Sequence, residues 1–226
     1  MSFLVQSRPS ESPLVESITH GYTVADGSTI RPAEICWHMV LTRFAGEATF
    51  LLVGPLTNSA HLQFESGAEI LWIKFKLGAY MPHLPTRKLI NAETPLPEAA
   101  GQSFWLKGSA WKFPTFENVD AFVQRLIRAD VLVYDPVISR ALCGELKAET
   151  ISDRTLRHRF LQSTGMAQGQ IMQFERAQRA VELLHQGKSI LDTVYEAGYF
   201  DQPHLTRSLK HFIGYTPAQI ARINHP

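Results

Sequence analysis

The chain repeats itself. Residues 153–171 read DRTLRHRFLQSTGMAQGQI, and residues 202–220 read QPHLTRSLKHFIGYTPAQI. Aligned without a gap, Leu156 matches Leu205, Gly165 matches Gly214, Gln170 matches Gln219 and Ile171 matches Ile220. Phe160 falls opposite Leu209, and Ala148 falls opposite Ala197 in the same register. An internal repeat of this size means one supersecondary unit used twice.

The second copy defines the unit. Ile190, Leu191, Val194 and Ala197 have the spacing of an amphipathic helix over Ser189 to Ala197. Ser189 is placed to cap it, Asp192 suits the positive end of the helix dipole, and Gly198 can take the positive φ of a helix end. After Tyr199 and Phe200, Asp201 caps a further helix with Pro203 in its first turn, where proline is tolerated. Leu205, Leu209 and Phe212 share one stripe of that helix. Thr206, Arg207, Lys210 and His211 fall on the opposite side, with His204 at the flank. Short helix, glycine turn and a second helix with a basic, hydrogen-bonding face describe a helix-turn-helix. An ordinary solvated surface helix has the same periodicity; the duplication favours the former.

Such a helix fits the major groove, where Arg can bind guanine bidentately and Gln or Asn can bind adenine. The N-terminal part of the second helix reaches the bases in these units. That selects Gln202, His204 and Arg207, with Thr206 as a weaker candidate, and leaves Lys210 and His211 to phosphate or solvent.

The run GYFDQPHLTRSLKHFIGYTPAQI closely resembles the signature of AraC-type (AraC/XylS) transcriptional regulators: a Gly-aromatic turn, a polar run, an apolar-x-Arg core, then Gly-x-Thr-Pro opening a final helix. The match covers Ser189 to Ile223. The resemblance implies two helix-turn-helix units joined by a long helix, expected here over Gly169 to Gln186 with Ile171, Phe174, Ala177, Val181 and Leu184 as its apolar stripe. At about 1.5 Å per residue that helix spans about 27 Å, near the ~34 Å between major-groove faces one turn apart.

The first copy departs from this pattern. Its second helix should start at Ser152, bury Leu156 and Phe160, and present Arg154, Arg157, His158 and Gln162. Glu149 replaces the turn glycine, Met166-Ala167 stand where the second copy has Tyr215-Thr216, and no proline matches Pro217. Only one helix, about Val137 to Ala148, fits ahead of it. The first unit is therefore abbreviated, suited to gripping phosphates, which adds affinity without sequence information.

The N-terminal part reads as β. Expected strands are Glu34 to Phe44, Ala48 to Val53, His61 to Phe64 and Glu69 to Leu77, separated by Gly, Pro, Asn and Ser turns. After Trp72, Lys74 and Lys76 alternate with Ile73, Phe75 and Leu77. Many short strands suggest a small barrel or sandwich, and the resemblance implies a cupin-like sensor barrel at this position. Trp37, Met39, Phe50, Trp72 and Phe75 are the candidate effector-lining residues; the same aromatics also suit a filled core. His20, His38, His61 and His83 are scattered, with no His-x-His pair, so no metal or other cofactor is expected. A Pro-rich stretch over 79–97 should wrap the barrel. Residues 116–129 form an amphipathic helix with Val119, Phe122, Val123, Leu126 and Ile127 on one side, a homodimer interface or a face for the chain's own barrel.

The fold class expected is α+β: a β-barrel or sandwich over residues 1–135, then an all-α domain over 136–226, with Tyr134-Asp135-Pro136 as the boundary. Charge agrees weakly. Residues 136–226 carry 11 Lys and Arg against 8 Asp and Glu, while residues 1–135 carry 11 against 13. A small positive excess predicts modest, salt-sensitive non-specific binding to nucleic acid. Cys36 and Cys143 stand alone and build neither a disulfide framework nor a zinc site. The start MSFLVQSRPSES lacks the features of a signal peptide, and no apolar run reaches a membrane span, so a cytoplasmic location is expected.

These readings converge on a DNA-binding transcriptional regulator of bacterial type whose N-terminal half senses a small-molecule effector, dimerises, or both. Its partners would be promoter or operator DNA, that effector and, as the resemblance admits, RNA polymerase. Binding is its task and no catalytic residues are expected. An alkyl-transfer repair enzyme needs an activated cysteine or a zinc site, and two isolated cysteines disfavour it. A cupin-type catalyst is disfavoured by the scattered histidines. A protein-interaction adaptor that no longer contacts DNA predicts that mutating Arg207 has no effect.

Overall fold

Antiparallel strand pairing organises the N-terminal half in the computed structural model, which describes residues 3–146 and 151–223. The strands are β1 (Phe3–Arg8), β2 (Val15–Thr23), β3 (Gly27–Arg31), β4 (His38–Phe44), β5 (Glu47–Val53), β6 (Ala60–Phe64) and β7 (Glu69–Phe75), followed by β8 (Ala79–Tyr80), β9 (Glu93–Pro95), β10 (Glu98–Ala99), β11 (Ser103–Leu106) and β12 (Ser109–Lys112). Helix α1 (Val119–Arg128) and β13 (Val133–Tyr134) close this part. The rest is helical: α2 (Pro136–Leu142), α3 (Asp153–Ser163), α4 (Gln168–His185), α5 (Ile190–Glu196), α6 (Gln202–Phe212) and α7 (Pro217–Ile223). A β-rich half followed by an all-α half is the order the sequence predicts.

The main sheet runs β1-β2-β7-β4-β5-β9. The β4–β5 hairpin turns on Ala45 and Gly46, both at positive φ, which matches the twist of the flanking strands. Along β7 the alternation holds: Leu71, Ile73 and Phe75 are buried, while Lys74 is half-buried. The first expected strand is shorter than predicted. It begins at His38, and Glu34 makes only an isolated bridge to Leu56.

The core of the N-terminal half gathers around Phe50, whose ring meets Phe104 edge-on at 4.5 Å and Phe122 at 6.2 Å. Helix α1 turns Val119, Phe122, Val123 and Leu126 into this core, all fully buried. Its apolar stripe therefore faces the chain's own core. Arg8 and Asp120 bind the helix to β1 through a 2.7 Å ion pair.

By packing, the chain forms two compact units. One comprises Met1–Gly27, Cys36–Pro55 and Gln63–Met166; the other comprises Ser28–Ile35, Leu56–Leu62 and Ala167–Pro226. The division differs from the sequence boundary at 135/136, because α2 and α3 belong to the unit that holds the main sheet. In the second unit α4 packs on α5, α6 and α7. It buries Ile171, Phe174, Ala177, Ala180, Leu183 and Leu184, while Val181, expected on the stripe, is half-buried. Contacts with three helices widen the buried face beyond a single stripe.

Candidate nucleic-acid interface

Both helices of the second copy start as the sequence predicts. Ser189 Oγ accepts the Asp192 N–H at 3.1 Å and itself donates to the Asp192 carboxylate at 2.6 Å. Asp201 accepts the His204 N–H at 2.6 Å, which fixes the first turn of α6. Leu205 and Leu209 are fully buried and Phe212 nearly so; the Phe212 ring meets Phe174 edge-on at 6.1 Å. These anchors turn the other side of α6 to solvent. Gln202, Arg207, Lys210 and His211 are exposed there.

His204 and Thr206 are half-buried. The His204 ring packs edge-on against Tyr199 at 5.1 Å. Tyr199 is the hub of the turn. Its hydroxyl pairs with Ser208 Oγ at 2.8 Å, and Arg176 of α4 lies 5.0 Å over its ring and donates to the Gly198 carbonyl at 3.4 Å. Burial pushes the Tyr199 hydroxyl above its ordinary pKa despite the Ser208 and Arg176 contacts. A Lys188–Glu196 pair at 2.7 Å spans α5 from before its start to its end.

In the first copy, Ser152 Oγ accepts the Thr155 N–H at 3.3 Å and opens α3. Arg154, Arg157, His158 and Gln162 are exposed, as expected of an outer face. Phe160 is fully buried but Leu156 only half-buried. Arg159 pairs with Asp135 at 3.0 Å, the same carboxylate that caps α2 through the Val137 N–H. Helix α2 ends at Leu142, short of the expected Ala148. Ala148 and Glu149 lie outside the described residues.

Four of the five candidate effector residues, Trp37, Met39, Phe50 and Phe75, are brought together as core packing, whereas Trp72 alternates to the other face of β7 and lies outside that core. Met39, Phe50 and Phe75 are fully buried, Trp37 nearly so and Trp72 half-buried. Trp72 Nε1–H donates to the buried His38 Nδ1 at 2.6 Å. The cavity bordered by Trp37 and Phe75 leaves about 10 Å³ for a water-sized sphere, room for one water. His20 sits 2.8 Å from Glu69.

Leu191, expected on the apolar stripe of α5, is instead 68% exposed, and Tyr195 and Phe200 are exposed at 88% and 89%. Phe200 directly precedes the cap of α6.

Residues 146–223, about a third of the chain, match the model of a family described as a helix-turn-helix domain. The C-terminal part of this chain is accordingly similar to a helix-turn-helix domain. No curated protein matches the chain. Among solved structures, ToxT from Vibrio cholerae aligns over 100% of both chains at 9% identity, with a TM-score of 0.41. No helix of the described residues is long and apolar enough to cross a membrane.

Proposed function

We propose that this chain is a sequence-specific, DNA-binding transcriptional regulator acting in the cytoplasm, and that residues 136–226 carry its DNA contacts. One observation carries the reading. Within a helix-turn-helix domain, α6 is capped at its start, anchored by Leu205 and Leu209, and exposes Gln202 and Arg207 near its N-terminal end. That is where such a helix meets base edges. Arg207 is the residue suited to guanine and Gln202 to adenine. Lys210 is the phosphate contact, and the half-buried His204 and Thr206 serve at the margin. Arg154, Arg157 and His158 of α3 supply sequence-independent grip on phosphate.

Control through the N-terminal half, by a small molecule in or near the barrel, is part of the same proposal. Because Met39, Phe50 and Phe75 are packed, that molecule must displace core side chains or bind outside them. A homodimer using the 116–129 helix would engage its polar side, since its apolar stripe is used internally. RNA polymerase is the further partner that a regulator of this type implies.

The test is selection of bound duplexes from a random pool with wild type and Arg207→Ala. A motif that emerges with wild type and blurs at one position with the variant supports base reading. Equal losses on selected and random DNA would reassign Arg207 to phosphate. No effect of the substitution would favour an adaptor.

A further inference from the structure

An α-helix ends in four carbonyls that no later turn can satisfy. On α6 these belong to Leu209, Lys210, His211 and Phe212. The Leu209 oxygen accepts the amides of Ile213 and Gly214 at 2.8 and 3.0 Å. The other three take donors from residues far earlier in the chain. Ser59 Oγ donates to the Lys210 oxygen at 3.1 Å. The Ser59 N–H donates to the His211 oxygen at 2.7 Å, and the Ala33 N–H to the Phe212 oxygen at 2.6 Å. The two donor segments are tied to each other, since Glu34 and Leu56 exchange both backbone hydrogen bonds at 2.7 and 3.0 Å. Both segments belong to the same compact unit as α6.

The repeated glycine closes the arrangement. Gly214 has a φ of +90°, and a Cβ there would collide with Ile30 Cγ2 and lie 3.3 Å from Ser59 Cβ. Two separate reasons therefore exclude a side chain: the left-handed backbone and the close approach of Ile30.

The first copy is held in the same manner within its own unit. Trp37 Nε1–H donates to the Ser163 oxygen at 3.0 Å, and Thr86 Oγ1 to the Leu161 oxygen at 3.1 Å. Gly165, the partner of Gly214 in the repeat, has a φ of +75°, and a Cβ there would lie 3.0 Å from Ile90 Cδ1. Any buried carbonyl must find a donor, so one such contact would be unremarkable packing. Here both copies end in the same glycine, both glycines meet an isoleucine of the N-terminal half, and both helices take their C-terminal donors from that half. One short stretch, Ala33 to Trp37, supplies a donor to each.

We infer that the N-terminal half positions the DNA-reading helices by capping their C-terminal turns, with Ser59 and Ala33 as positioning residues for α6 and Trp37 and Thr86 for α3. This rests on the DNA-binding reading above. Neither Ser59 nor Ala33 touches the exposed reading face. They act through the last turn of α6, where Lys210 and His211 sit, and so set how the helix presents Arg207 and Gln202 to a groove.

The test uses the full-length chain and the duplex enriched by wild type. Ser59→Pro removes both the N–H and the hydroxyl donor, Ser59→Ala removes the hydroxyl alone, and Ser59→Thr keeps both. Preference for the selected duplex over random DNA should fall about tenfold in Ser59→Pro, as expected for losing two hydrogen bonds that hold a base-reading helix. Ser59→Ala should fall between Ser59→Pro and wild type, and Ser59→Thr should match wild type. Amide hydrogen exchange over residues 209–214, measured without DNA, should quicken in the same order. If Ser59→Pro does not fold, the Ser59→Ala and Ser59→Thr pair decides alone. Unchanged preference and unchanged exchange in a folded Ser59→Pro chain overturn the inference. A wild-type chain that enriches no duplex sinks the DNA-binding reading, and the inference with it, and is recognised as that separate failure because it precedes any Ser59 variant.

Discussion

Asp201 shows how much one side chain can settle. Its carboxylate accepts the His204 N–H and caps α6, which starts at Gln202. Replacing an N-cap acid by alanine costs about 0.5–2 kcal/mol. Asp201→Ala should therefore lower stability in chemical denaturation by that amount and weaken DNA binding, while Asp201→Asn retains most of both. Asp120 makes a different case in the N-terminal half. Burial pushes its pKa up, but hydrogen bonds from Ser10 and Arg8 outweigh that, and it lies below the ordinary value of 3.8. A depressed carboxylate contributes stability that is present above 3.8 and lost as pH falls through its lower folded pKa. Asp120→Asn should accordingly lose stability near neutral pH and show a shallower loss on acidification than wild type. Because the pair with Arg8 is partly exposed, the effect should be small and salt-sensitive. A variant that unfolds in acid with the wild-type slope would remove Asp120 from the account.

At the scale of elements, α1 is the clearest structural keystone of the N-terminal half. Phe122 is fully buried and lies against Phe50, Phe104 and Trp111. Phe122→Ala should cost about 3–5 kcal/mol in equilibrium unfolding, whereas truncating the exposed Gln124 on the same helix should change little. The helix itself was legible from its apolar spacing, as were α3 to α6, because caps and stripes are local signals. Strand β2 was not. A bulge between Val15 and Ser17 puts buried Val15 and Ile18 three apart and breaks the alternation that marks a strand. The β11–β12 hairpin also escaped notice, since it turns on Lys107 and Gly108 with few residues on either side. The outer face of α6 was readable because exposure follows from which residues anchor the helix. The donors at its far end were not, because Ser59 and Ala33 reach it only through tertiary structure that no local pattern records.

The whole molecule places its two helix-turn-helix copies in different compact units, although one sequence pattern generates both. The four exposed cations named for DNA contact, Arg154, Arg157, Arg207 and Lys210, bound the electrostatic contribution. If all met phosphate, affinity would fall with salt at a logarithmic slope of about −4. A shallower slope on random DNA would mean that one unit binds without the other. The sharper prediction concerns a fragment of residues 136–226. It retains every candidate DNA-contact residue but lacks Ala33, Ser59, Trp37 and Thr86, and with them the donors to five carbonyls at the ends of α3 and α6. Of the five, the Leu161 oxygen keeps a partner within the fragment, the Gly165 amide. Phe160, fully buried in the intact chain, belongs to a unit most of which the fragment omits. The fragment should keep helical circular dichroism from α4 to α7, exchange its 209–214 amides faster than the full chain, and bind the selected duplex more weakly. Equal protection and equal affinity would mean that the helical half is self-sufficient and that residues 28–35 and 56–62 pack on it without consequence for reading DNA.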